Sequence, residues 1–77
     1  MTPSQVTEAQ KEVRQRRNII CVNQYAAFQI VKSFPEMIGP EIDKDKNGNP
    51  IPGHYPHYHI NKKHGAPHIW FYDEQHT

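Results

Sequence analysis

The chain has 77 residues, a net charge of +1 and a hydrophobic share of 35%. That length admits one domain, residues 1–77, and a chain of this size buries only about 60% of the surface it exposes when unfolded, so stability is marginal. One cysteine, Cys21, excludes an internal disulfide, and the longest apolar run, residues 19–22, is too short for a transmembrane helix or a signal-peptide core, so a soluble chain without a membrane partner is expected.

Residues 1–18 read as a helical lead-in. The stretch SQVTEAQKEVRQRR is rich in helix formers, and Val6, Ala9 and Val13 recur at roughly helical spacing. The apolar stripe is thin, which predicts a helix over 3–17 lying on a surface or leading in from a larger protein. Lys11, Arg14, Arg16 and Arg17 make this arm basic, whereas Glu36, Glu41, Asp43 and Asp45 make the middle of the chain acidic. Cations return at Lys62 and Lys63, among the histidines. Such a distribution suits a phosphate-bearing partner, although the arm alone reads as a solvated helix face.

Residues 19–35 read as the core helix segment. Asn23 follows the apolar run IICV and can cap the helix QYAAFQIVKSF, in which Ala27, Ile30, Val31 and Phe34 fall on one face. Pro35 marks its end. Cys21 reads as a buried small hydrophobe rather than a nucleophile, and Tyr25, Phe28 and Phe34 as core or helix-face aromatics.

Residues 36–53 form a turn-rich connector, in which Asn47-Gly48 and two prolines of DKDKNGNPIPG signal an exposed hairpin or loop. Asp43, Asp45, Asn47 and Gly48 imitate the opening of a calcium loop, but His54 stands where the bidentate glutamate is required, so calcium is not expected.

Residues 54–73 read as a histidine-rich β-hairpin. Aromatic and β-branched residues predict strands over 55–60 and 67–73, separated by the glycine-containing turn NKKHGA and paired antiparallel. The expected class is α+β, with one or two N-terminal helices packed on a small antiparallel sheet. Side chains alternate along a strand. If Tyr58, Ile60, Ile69 and Phe71 pack beneath the core helix, His57, His59, His68 and Tyr72 meet on the open face together with Trp70, while the turn contributes Lys62, Lys63 and His64.

That face suits metal-free RNA cleavage. One imidazole takes the proton of the ribose 2′-hydroxyl, a protonated one donates to the departing 5′-oxygen, and a lysine or tyrosine stabilises the charged phosphorane. Histidine serves both roles because its unperturbed pKa is about 6.5, and Trp70 or Tyr72 can stack on an unpaired base. A zinc site is the alternative, since His57, His59, His64 and His68 form H-x-H-x4-H-x3-H. Against zinc stand the lack of a cysteine pair and of a nearby acid before Asp73 as partner for a ligating imidazole. A third reading makes the histidines ordinary residues of a binding face. His76 is assigned no role.

The stretch GHYPHYHINKKHGAPHIWFYD, from residue 53 on, resembles the C-terminal toxin domains of bacterial polymorphic toxins of the contact-dependent inhibition, Rhs and LXG types, and NIICVNQYAAFQIVKSF resembles the helix that precedes their sheet. Many such tips resemble the barnase, EndoU, colicin and RelE-like ribonucleases, with N-terminal helices on a small antiparallel sheet. The resemblance implies a secreted or surface-delivered domain that cleaves RNA, tRNA being the expected target, in the cytoplasm of a competing bacterium. It further implies a cognate immunity protein as partner. The PHYH motif then assigns His57 and His59, and the next strand His68, as catalytic, with Lys62 and Tyr72 supporting. Lys63, His64, Trp70, Arg14 and Arg17 are the candidate substrate contacts. The family includes metal-dependent nucleases, so no cofactor is expected but zinc stays open.

Overall fold

Thr2 starts the first helix of the computed structural model, which describes residues 1–72. Its hydroxyl accepts from the Gln5 amide while the Gln5 side chain accepts from the Thr2 amide, and Pro3 needs no donor in the first turn. Helix α1 runs over Pro3–Arg14, three residues short of the predicted 17. It stops because Arg16 takes a left-handed backbone (φ 63°), which lets the Arg16 and Arg17 amides turn back onto the Val13 and Glu12 carbonyls. The helix is more than a lead-in. Val13 is fully buried in the core, and the Gln10 side-chain amide donates to the Ile30 carbonyl of the next helix and to the Ser33 hydroxyl just beyond it.

The segment read as core helix divides in two. Ile19–Cys21 is a strand, β1, and helix α2 occupies only Gln24–Val31. Two isoleucines favour the extended chain, and Asn23, itself extended, accepts from the Ala26 amide and fixes the helix start. Ala26, Ala27, Ile30 and Val31 are buried, and Phe34 packs at the margin of the core beyond the helix end.

The turn-rich connector also contains a strand, β2 (Ile38–Glu41), antiparallel to β3 (His57–His59). Gly39 and Pro40 disguise it, because both residue types are depleted in strands; on this edge strand Pro is tolerated. Gly39 is required there: it has φ +117°, and a Cβ would lie 2.9 Å from the His57 carbonyl oxygen. Beyond it the loop is held by Asp45, whose carboxylate accepts from the Asn47 and Asn49 amides.

Strand β3 pairs antiparallel with β4 (His68–Phe71), and β4 pairs parallel with β1, giving the order β1-β4-β3-β2. The class is α+β, with a mixed rather than purely antiparallel sheet. The parallel pair arises because the chain passes through α2, β2 and β3 before β4 returns beside β1. Tyr58, Ile69, Phe71 and Cys21 face the helices and close the core with Val13, Ala27, Ile30 and Val31. No helix among the described residues is long and apolar enough to cross a membrane. Asp73, the last residue of the predicted hairpin, and His76 lie outside the described residues.

Candidate functional site: an imidazole cluster on the open sheet face

Alternation places the other half of the same strands on the uncovered face. Registers Ile20↔Trp70, His57↔Trp70 and Glu41↔His57 line up a row across the whole sheet, Ile20, Trp70, His57, Glu41, and His59↔His68 forms a second row. The Asn18 side chain accepts from the His68 amide at 2.8 Å and fixes the start of β4 against the β1 side.

The three strand histidines touch. Ring centroids of His57 and His59 are 4.9 Å apart, those of His57 and His68 5.0 Å, and those of His59 and His68 4.4 Å. Trp70 lies flat against His68, with centroids 4.8 Å apart and planes 6° from parallel, and tilts over His57 at 4.7 Å. The rings shelter one another, so that His57 is only 3% exposed on a face that neither α1 nor α2 covers. Its Nδ1 lies 3.4 Å from the Tyr55 carbonyl and its Nε2 4.0 Å from a Glu41 carboxylate oxygen.

Burial pushes the His68 imidazole below its ordinary pKa, helped by the charges of His59 and His57 and opposed by Asp43. With its pKa lowered, His68 stays neutral more readily than a free imidazole. Neutral imidazole is also the form that ligates metals. One ring nitrogen from each of His57, His59 and His68 lies within 4.8 Å of the others. Three imidazoles around a tetrahedral ion with bonds of about 2.0–2.1 Å stand about 3.4 Å apart, so inward shifts of roughly 1 Å would close the set and leave a fourth position open to solvent. The Tyr55 carbonyl is the kind of partner that orients a ligating imidazole.

The remaining candidates lie elsewhere. His64 is exposed in the turn and does not belong to the group whose ligand atoms converge. Lys62 and Lys63 line an open cleft of about 510 Å³ with Glu36, Met37 and Ile38 at the β2 edge. Tyr72 is half-exposed and stands edge-on to Tyr55, with centroids 5.1 Å apart. Arg14 lies over the Phe34 ring and Arg17 pairs with Glu12 at 2.6 Å, both on the helical side.

Beside the cluster lie Glu41 and Asp43, which had no signal in their local sequence, and His54, which belongs to the histidine-rich stretch but was given no role there. Glu41 arrives through the pairing of β2 with β3. The Asp43 carboxylate accepts from the His54 Nδ1 at 3.0 Å, and this bond, aided by the charges of His57, His54 and His68, holds Asp43 below the usual carboxylate range. His54 also lines a depression of about 410 Å³ with Ile20, Gly53, Tyr55 and Trp70, so Trp70 forms a wall of both the depression and the cluster. The pairing of β2 with β3 brings in Glu41, and the 43–54 loop brings in Asp43, carboxylates that the sequence places far from the strand histidines.

Comparison of the chain with protein-family models, with curated proteins and with solved structures returns no match.

Proposed function

We propose that the open face of the sheet cleaves RNA, with His57, His59 and His68 as its reactive centre. The observation that supports this most is the gathering of three imidazoles, 4.4 to 5.0 Å between ring centroids, on a face left uncovered by the helices. Imidazoles exchange protons near neutrality, and a cluster that shares a proton can contact a phosphate and protonate its leaving oxygen. Trp70 offers a surface on which an unpaired base can stack. Lys62, Lys63 and His64 then extend the surface towards a longer RNA, and Tyr72 stands as a supporting group. The likeness of residues 53–72 to polymorphic-toxin tips supports tRNA as target, delivery into a competing cell as the route, and an immunity protein covering this face as partner.

A second reading rests on the convergence of ligand atoms within 4.8 Å: the same three histidines hold a zinc-type divalent ion. Bound there, the ion would supply Lewis acidity and an activated water. His57, His59 and His68 would be its ligands, with the Tyr55 carbonyl and Glu41 orienting His57.

Incubation of the protein with total bacterial RNA, with and without EDTA and beside His59→Ala, tests both. Cleavage that survives EDTA and is lost in His59→Ala is the expected result. Cleavage abolished by EDTA and restored by zinc would transfer the activity to the metal centre, and an inert protein in every lane would remove the RNA reading altogether.

A further inference from the structure

An in-line phosphoryl transfer requires a proton acceptor beside the attacking oxygen and a proton donor beside the departing one, on opposite sides of the phosphorus. His57, His59 and His68 are in mutual contact, with one nitrogen of each inside 4.8 Å, so they stand together on one side of anything bound to them. A second proton-transferring group is then needed across the phosphate, and the His54–Asp43 pair is the candidate whose geometry suits a base.

His54 and Trp70 line one depression, and Trp70 also packs against His57 of the cluster. Its Nδ1 faces Asp43 Oδ2 at 3.0 Å. Donation of Nδ1–H to the carboxylate leaves Nε2 with the lone pair, and a carboxylate that fixes tautomer and ring orientation is the arrangement that makes an imidazole an effective base. The Asp43 carboxylate also feels the charges of His57 and His68, which marks the dyad and the cluster as neighbours in one electrostatic field. Both members are about half-exposed, so a substrate can reach them.

We infer that His54, positioned by Asp43, is the proton acceptor opposite the histidine cluster in the cleavage of RNA at this face. The inference rests on the RNA-cleaving reading above. His54 Nε2 takes the proton of the ribose 2′-hydroxyl as the O2′–P bond forms; the P–O5′ bond breaks and the 5′-oxygen receives a proton from the cluster. The products are a 2′,3′-cyclic phosphate and a free 5′-hydroxyl. No oxidant or additional reactant enters.

The test compares wild type, His54→Ala, Asp43→Asn and His59→Ala on RNA and on nucleoside 3′-(4-nitrophenyl) phosphates, whose leaving group departs without protonation. Removing the base should slow both substrates by about 10²- to 10⁴-fold, whereas His59→Ala should be slow on RNA and largely restored on the aryl esters. Asp43→Asn should lower kcat with KM retained and weaken the acidic limb of the pH profile, an effect that a purely structural role for Asp43 would not produce. Thermal melts of all three variants should stay near wild type, since the dyad is exposed and His59 lies outside the helix-packed core. A His54→Ala protein that cleaves both substrates at the wild-type rate while His59→Ala fails would overturn the dyad and leave the cluster standing. A wild type inert towards RNA would overturn both.

Discussion

Strands β3 and β4 carry two proteins' worth of instruction on alternate residues. Tyr58, Ile69 and Phe71 point to the helices and are almost fully buried, while His57, His59, His68 and Trp70 point the other way and pack against one another on the open face. One face holds the fold and the other is free to carry chemistry. The division implies that damage to either face should be separable, and that residues acting through the backbone between them should not be.

The largest effect is expected at Ile69→Ala. Typical stability is about 0.05–0.15 kcal/mol per residue, or roughly 4–12 kcal/mol for 77 residues, and truncating a fully buried isoleucine costs about 2–5 kcal/mol. Urea denaturation should show this variant largely unfolded or close to it. His59→Ala, one register step away on the open face, should keep its denaturation midpoint within about 1 kcal/mol of wild type while RNA cleavage falls by about 10²- to 10⁴-fold. Equal losses of stability in the two variants would break the comparison.

Gly39→Ala sharpens it. The new Cβ would have to adopt φ +117° and meet the His57 carbonyl oxygen at 2.9 Å and the Tyr58 ring at 3.1 Å. Strain at such a position costs about 1–3 kcal/mol, and relief requires β2 to move away from β3. Because that movement carries Glu41 from His57, stability and activity should fall together, unlike the separable losses above.

Asn23→Ala tests the covered side alone. Loss of the bond from the Ala26 amide, 2.9 Å in the native chain, should cost about 0.5–2 kcal/mol without changing activity per folded molecule. On the same side, burial raises the Cys21 thiol above its ordinary pKa. Thiol reagents should therefore react with it slowly in native buffer and rapidly in denaturant, a difference read directly from the modification rate.

The pattern of legibility follows the same division between local and distant causes. Helix α2 and the hairpin were readable because an Asn cap, a one-face apolar stripe and strict alternation are written within a few residues of where they act. Parity separated Tyr58, Ile69 and Phe71 from His57, His59 and His68, and the apolar character of the first set decided which face meets the helices. Strands β1 and β2 were hidden because three or four residues are too few to show a period, and because Gly39 and Pro40 are selected by the close approach of β3 and by an edge position. Arg16 ended α1 early through a left-handed conformation that its residue type does not announce. His54 stands in the histidine-rich stretch itself, but Glu41 and Asp43 could not be joined to the site from sequence, since pairing across more than ten residues brings them there.

The smallest effect concerns the bond that links the connector to the open face. Asp43 is held below the usual carboxylate range, first by its hydrogen bond from His54 and then by the charges of His57, His54 and His68. A carboxyl group whose folded pKa is depressed binds fewer protons than it does unfolded, so it contributes stability above the unfolded value of about 3.9 and loses it as pH falls through the folded value. Both partners are about half-exposed, and exposed pairs contribute little. Asp43→Asn should therefore leave the melting temperature near neutrality almost unchanged, yet flatten the decline of stability on acidification below pH about 4. A mutant whose acid unfolding curve overlays that of wild type would mean that His54 and Asp43 are not joined in solution, and the orientation on which His54 depends as a base would be lost with it.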